Sequence, residues 1–129
     1  LDPLGDSNGN GLTNIVKWAF GMNPTSAVPG TIQVNGGVLT APGIPVLLSV
    51  PDGSGGTNYF ALFGRRKDAA ASGLTYTVEF TADFSAWTAS ADTPTVIADD
   101  SDMEAVTVPF PPLVGGLPPQ FFRIRITAQ

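Results

Sequence analysis

The stretch "LTYTVEFTAD" at residues 74–83 alternates apolar and polar side chains without a slip. Leu74, Tyr76, Val78 and Phe80 face one way; Thr75, Thr77 and Glu79 face the other. Successive side chains of a strand point to opposite faces, so this spacing calls for a β-strand with one buried and one polar face. The closing "QFFRIRIT" repeats the pattern, with Phe122, Ile124 and Ile126 opposed to Phe121, Arg123 and Arg125. Strands of this kind need partners, and the rest of the chain offers them. "TIQV-NGG-VLT" (31–40) reads as a hairpin in which Asn35 and Gly36 supply the positive φ angles of a tight turn. Further strands are expected at 44–50, 59–66, around Trp87, at 95–98 and at 104–110. Pro109, Pro111 and Pro112 interrupt the last of these and place it at a sheet edge or a strand end. With 15 Gly and 12 Pro as punctuation, so many short strands predict an all-β fold. The expected architecture is an antiparallel β-sandwich, immunoglobulin-like or jelly-roll-like, rather than a parallel sheet with helices.

One helix is expected, at residues 12–20. Leu12, Ile15, Val16 and Ala19 fall at i, i+3, i+4 and i+7 and form a single apolar face. Asn10 or Thr13 can cap its start. Gly21 can take the left-handed conformation that ends a helix, Met22 can fold back, and Pro24 forbids continuation. The chain of 129 residues suits one structural unit. Residues 1–24 then form a loop and helix packed on the sandwich, and residues 25–129 the sandwich itself.

Composition limits the chemistry. Hydrophobic residues make up 43% and charged ones only 13%, about half the usual charged share, which argues for a folded chain. The net charge of −5 disfavours a nucleic-acid partner. The basic cluster Arg65, Arg66, Lys67 reads as a solvated strand end. With no histidine and no cysteine, Ser-His-Asp and Cys-His nucleophiles, His-liganded zinc and disulfides are all excluded. Carboxylate pairs remain, but Glu79 is more simply explained by a cross-strand pairing with Arg123 or Arg125. No enzymatic activity is expected. No apolar run is long enough to span a membrane, and no signal peptide is visible in the sequence. Low charge with abundant Thr, Ser, Gly and Asn leans extracellular.

The segment "DSNGNGLTNIVKW" carries most of a calcium-loop pattern, in which oxygen ligands stand at alternate positions and a bidentate acid closes the loop. Asp6, Asn8 and Asn10 are the first three side-chain ligands. Gly11 makes the turn, Leu12 offers a carbonyl and Asn14 sits at the ninth position, but Lys17 occupies the place of the closing acid. Asp2 is a further candidate ligand. A second acidic group, Asp99, Asp100 and Asp102 with Glu104, reads as a solvated turn, and Asp83 with Asp92 is a weaker pairing still.

Three stretches, "DPLGDSNGNGLTNIVKWAFGMNP", "LTYTVEFTADFSAW" and "QFFRIRIT", together resemble a C-terminal module of large exported bacterial proteins. In that module a dockerin-like or thrombospondin type-3-like calcium loop and helix precede a β-sandwich. The resemblance implies a non-catalytic appendage of a surface or secreted protein. It also implies acids at the positions of Asn8, Asn10, Lys17 and Asn23, and a core position for Trp87. All four acid positions depart from that pattern. The expectation is therefore no cofactor, or weakly bound calcium, with Asn and Gly holding the loop by their own turn chemistry. Trp18, Tyr59, Tyr76 and Trp87 are candidate sugar platforms, and burial is the expected role of Trp18, Tyr76 and Trp87.

Three functions follow as expectations. The first is an extracellular attachment or assembly module whose partners are copies of itself or neighbouring domains. The second is a self-assembling subunit of a filament or sheath, with "PFPPLVGGLPPQFF" as contact surface. The third is a carbohydrate-binding module with polysaccharide as partner. The loop gives a direct measurement. A site of about millimolar affinity adds only about 0.4 kcal/mol at an equal calcium concentration, or roughly 1–2 °C in melting temperature. A rise of more than about 5 °C between chelator and millimolar calcium contradicts a loop that keeps its shape without the ion.

Overall fold

The computed structural model describes residues 18–22, 30–114 and 116–128. Nine strands form in this part of the chain: β1 (Gln33–Asn35), β2 (Val38–Ala41), β3 (Val46–Pro51), β4 (Thr57–Arg66), β5 (Leu74–Thr81), β6 (Thr88–Ala89), β7 (Thr95–Asp99), β8 (Met103–Pro109) and β9 (Phe121–Ala128). They make a six-stranded sheet in the order β1-β2-β7-β8-β4-β3 and a three-stranded sheet in the order β6-β5-β9. The described residues are thus predominantly β, as the alternation predicts. All strand pairs are antiparallel except β2 with β7, which meet at a single parallel pair, Val38 and Asp99.

β5 and β9 pair without a break from Leu74 with Ala128 to Thr81 with Phe121. Their register puts Tyr76 opposite Ile126, Val78 opposite Ile124 and Phe80 opposite Phe122, so the two apolar faces coincide. β4 and β8 behave differently. Residues 61–64 and 105–108 are each buried four in a row, because these strands carry core on both faces. On one face Ala61, Phe63, Val106 and Val108 join Val78 and Phe80 in a cluster that spans the two sheets. On the other face Leu62, Met103 and Ala105 join Ile32, Leu39 and Ala98 in a second cluster.

Short-range chemistry sets the strand ends. The β1–β2 turn is Gly36 and Gly37, with φ of 59° and 83°, and Asn35 pairs directly with Val38. The tight turn thus lies one residue later than "NG" suggests, since two consecutive glycines take both left-handed positions without a Cβ clash. The strand expected at 59–66 starts earlier, at Thr57, and the one expected at 44–50 runs from Val46 to Pro51. Pro109 ends β8, as expected. The neighbouring Phe110 N–H donates to the Tyr59 carbonyl at 2.9 Å, so by alternation the donor missing at Pro109 falls on the β7 side. β7 pairing has already stopped there, at Thr95 with Thr107. Trp18 and Ala19 are helical, and Gly21 turns the chain with φ 75°. The Tyr76 hydroxyl donates to the Ala19 carbonyl and accepts from the Arg66 N–H. That contact docks Phe20 into the first cluster. The remainder of the expected helix, at 12–17, lies outside the described residues.

The six-stranded sheet curls. The segments leading into its two edges, β1 and β3, meet in a parallel bridge between Thr31 and Ile44. Ile32 N–H donates to the Ile44 carbonyl at 3.0 Å, and Ile44 N–H to the Gly30 carbonyl at 2.8 Å. The bridge requires Gly43, because a Cβ there would collide with the Gly30 carbonyl oxygen and the Thr31 backbone. Gly43→Ala is expected to cost about 1–3 kcal/mol, the range for forcing atoms into a packed interior. Phe63→Ala, in the first cluster, should cost about 3–5 kcal/mol. Denaturant midpoints test both, and a Gly43→Ala protein as stable as the parent contradicts the close approach.

Candidate functional site

The outer face of the β6-β5-β9 sheet should be polar by the alternation of its strands, yet it carries a cluster of aromatic rings. Glu79 on β5 lies opposite Arg123 on β9, and Thr77 opposite Arg125. Arg123 Nε donates to Glu79 Oε1 at 2.8 Å, and Arg125 reaches Glu79 Oε2 at 3.5 Å. The expectation of a cross-strand pair is met by both arginines. Glu79 itself is only 6% exposed. A carboxylate withdrawn from water needs charged donors on its oxygens, so the two arginines are held to this face by the acid beneath them.

Trp87 extends the arrangement. The Arg123 guanidinium lies over its ring at 4.1 Å, which fixes Arg123 between an aromatic face and a carboxylate. Trp87 is half-buried and belongs to neither core cluster. The core position implied for it by resemblance is not where the ring lies. Its neighbour Phe84 stands edge-on to Trp87 at 5.8 Å and stacks on Phe121 with centroids 4.2 Å apart and planes inclined by 31°. Phe84 is 59% exposed and Phe121 43% exposed. The outermost ring of the stack therefore offers a flat apolar surface to solvent.

Phe84 is held there against its backbone preference. Its φ is 67°, in the left-handed region, and it is the only non-glycine among the described residues with positive φ. A bulky side chain in that region is strained, by about 1–2 kcal/mol. The loop compensates with a bracket of hydrogen bonds. The buried Thr81 hydroxyl accepts from Phe84 N–H at 3.0 Å and donates to the Ala86 carbonyl at 2.7 Å. Asp83 Oδ1 accepts from the Ser85 N–H and hydroxyl at 2.9 and 2.7 Å. The Ser85 hydroxyl and amide hold the Asp83 carboxyl below the ordinary aspartate range. A small cavity of about 240 Å³ adjoins the loop, lined among others by Asp83, Ser85, Thr88 and Leu117.

The other candidates fall elsewhere. Asp2, Asp6, Asn8, Asn10, Leu12 and Asn14, with Lys17, lie outside the described residues. Asp100 Oδ1 accepts from the N–H groups of Asp102 and Met103, both at 2.8 Å, which makes "DDSD" a self-bonded turn. The basic cluster is paired through Arg65 with Glu104, Arg66 with Asp68 and Lys67 with Asp99. Asp99 also holds the Lys67 ammonium above its ordinary pKa. Asp83 and Asp92 each bond within their own turns. No group of three or more potential metal-ligating side chains occurs among the described residues. Trp18 lies under the Arg66 guanidinium at 4.0 Å, and Tyr76 packs against the first cluster. Tyr59 is exposed and tilts against Phe110, where it lines a groove of about 410 Å³ with Phe60 and several prolines.

Sequence reasoning passed over Phe84 and Phe121. The signal for Phe121 was present: an aromatic on the polar side of an otherwise regular alternation. No local rule places a phenylalanine in the left-handed region, so Phe84 had none. No family model, curated protein or solved structure matches this chain.

The strain at Phe84 has a measurable signature. Phe84→Gly and Phe84→Ala both remove the ring, but only alanine retains the steric penalty of positive φ. The glycine protein should be the more stable by about 1 kcal/mol, reversing the usual order of the two residues. Thermal or denaturant unfolding compares them, and an alanine protein at least as stable as the glycine one refutes the strain.

Proposed function

We propose that this chain is a non-catalytic, extracellular module of a bacterial surface or secreted protein that acts in attachment or assembly. In this reading the two sheets form an antiparallel sandwich of immunoglobulin-like or jelly-roll-like type, with a short helix over 12–20 packed against it. The calcium-type loop keeps its turn and binds the ion weakly or not at all. The observation that carries the reading is the Phe84, Phe121, Trp87 and Arg123 face. Exposed, well-packed aromatics beside an arginine are the composition of binding hot spots rather than of idle surface. Their positions are fixed in advance by the Thr81 bracket and the Glu79 pairing, so little side-chain freedom remains to be lost on binding. The resemblance to modules of exported bacterial proteins supports the same class of function.

A second reading, a self-assembling subunit of an extracellular filament or sheath, is favoured by β9. Among the described residues this eight-residue strand lies at the edge of its sheet, pairs in unbroken register and contains no proline, features that suit an edge to strand addition. β3, at the edge of the larger sheet, differs. Asp52 N–H faces β4 by donating to the Gly56 carbonyl, so by alternation Pro51 removes a donor from the outer edge.

Beads coated with the chain separate these readings. Attachment through the aromatic face predicts that the beads cluster or adhere to a polysaccharide gel, and that the Phe84→Ser, Phe121→Ser double variant loses at least tenfold in coverage at an unchanged melting temperature. Variant beads that behave like the parent overturn the assignment to this face. Long polymers of the free chain in negative-stain microscopy, unaffected by the double variant, establish the filament reading instead.

A further inference from the structure

Phe121, Arg123 and Arg125 recur at every second residue of β9. They therefore stand about 7 Å apart along one straight track on the outer face. The aromatic end of the track is the Phe84–Phe121 stack; the other end is Arg125, whose side chain is 58% exposed. Between them Arg123 is immobilised by Trp87 and Glu79. The sheet face thus carries two guanidinium groups over one buried carboxylate, an excess of one positive charge on a chain whose net charge is −5. The nearby Asp83 carboxylate turns back onto Ser85. An apolar platform followed by cations at strand spacing suits an extended polymer of flat rings that bear anionic groups.

We propose that this face binds a polysaccharide of carboxylate-bearing pyranose rings, a polyuronate. The apolar C–H face of one sugar ring lies on Phe84, and the carboxylate of a ring further along the polymer accepts from Arg125. The proposal rests on the attachment reading and gives that attachment a chemical class of partner. The parts divide the work. The Phe84–Phe121 stack supplies area that any pyranose can use, because every such ring has an apolar face. Arg125 supplies the selection for charge, since its planar donors match a carboxylate. Glu79 limits the selection: it spends most of its pairing on Arg123 and holds Arg125 only by the longer contact of 3.5 Å, so a ligand carboxylate can draw Arg125 away while Arg123 stays on Glu79. A polymer that touches both ends must cover about 13 Å of strand. Single sugars and disaccharides therefore bind far more weakly than long chains.

Native gel electrophoresis of the whole chain through polygalacturonate, dextran sulfate or neutral dextran tests the proposal. Polygalacturonate should retard the parent protein at low salt. Phe84→Gly, which removes the ring and relieves the backbone, should weaken retardation at least tenfold while remaining folded. Arg125→Gln should reduce the preference for polygalacturonate over dextran to within about twofold. In a Trp18→Phe background, emission from Trp87 should become less accessible to acrylamide when polygalacturonate is added. Equal retardation by dextran and polygalacturonate overturns the role of Arg125, and stronger retardation by dextran sulfate overturns the choice of carboxylate. Retardation without any change at Trp87 places binding elsewhere and overturns the site. Failure to bind all three polymers, with beads that still cluster through Phe84, overturns the glycan and leaves the face as a protein contact between copies of the chain. Failure of both, with Trp87 already shielded in the isolated protein, shows that the chain's own remaining residues cover the face and overturns both readings.

Discussion

The pairing of β4 with β8 is the constraint from which the rest of this structure follows. Their seven-pair ladder, from Phe60 with Pro109 to Arg66 with Met103, is buried on both faces through residues 61–64 and 105–108. Neither face can be left to water, so the fold needs two covers. The β6-β5-β9 sheet supplies one, laying Val78, Phe80 and the β9 aliphatics over Phe63 and Val106. The six-stranded sheet supplies the other by curling on itself, which brings Ile32 and Leu39 over Leu62 and Ala105. The Thr31–Ile44 bridge and the bare Cα of Gly43 are what allow that curl to close. A chain of this size with no disulfide depends on such two-sided burial, since small domains bury a lower fraction of their surface than large ones.

How much of this was legible depended on whether an element has one buried face or two. β5 and β9 have one, and their alternation gave both the strands and the side chains that point inward. "FALFG" and "AVTV" have two, and a run buried on both sides has no period to read. The sequence therefore located these strands without revealing that they are the centre of the fold. The β1–β2 turn slipped by one residue because Asn35-Gly36 and Gly36-Gly37 both satisfy the positive-φ requirement, and only the pairing register decides between them. Pro109 was legible as a strand end because the missing donor is a covalent fact.

The outer face was legible in part. Glu79 and the two arginines fall on the polar sides of their strands, which suggested a cross-strand pair with Arg123 or Arg125, and the structure brings Glu79 to both. The aromatic half was not legible, because it depends on a loop conformation that the local sequence opposes. "DFSAW" contains the turn residues Asp83 and Ser85, which mark a bend but do not say that Phe84 will occupy the left-handed position within it. The core position expected for Trp87 came from the resemblance alone, and nothing in its local sequence marked it as surface. Here the guanidinium of Arg123 takes the place that core side chains would have filled.

Elsewhere in the described chain, local preference and global structure agree: glycines hold the other positive-φ positions, prolines sit at strand ends or in connecting loops, and buried polar groups such as Thr81 and Glu79 are satisfied. Phe84 breaks that agreement, and it does so at the surface, where the ring could relax into water at little cost to the core. Strain persists only where the surroundings over-determine it. The surroundings here are specific: a buried threonine hydroxyl that bonds both sides of the bend, and an aspartate that closes it from the other end. Glycine in place of Phe84 would ease the backbone, and the ring belongs to neither core cluster. A conformation that costs stability and presents an aromatic to solvent, beside a guanidinium fixed by two independent contacts, is more economically explained by what meets it from outside than by anything it holds together within.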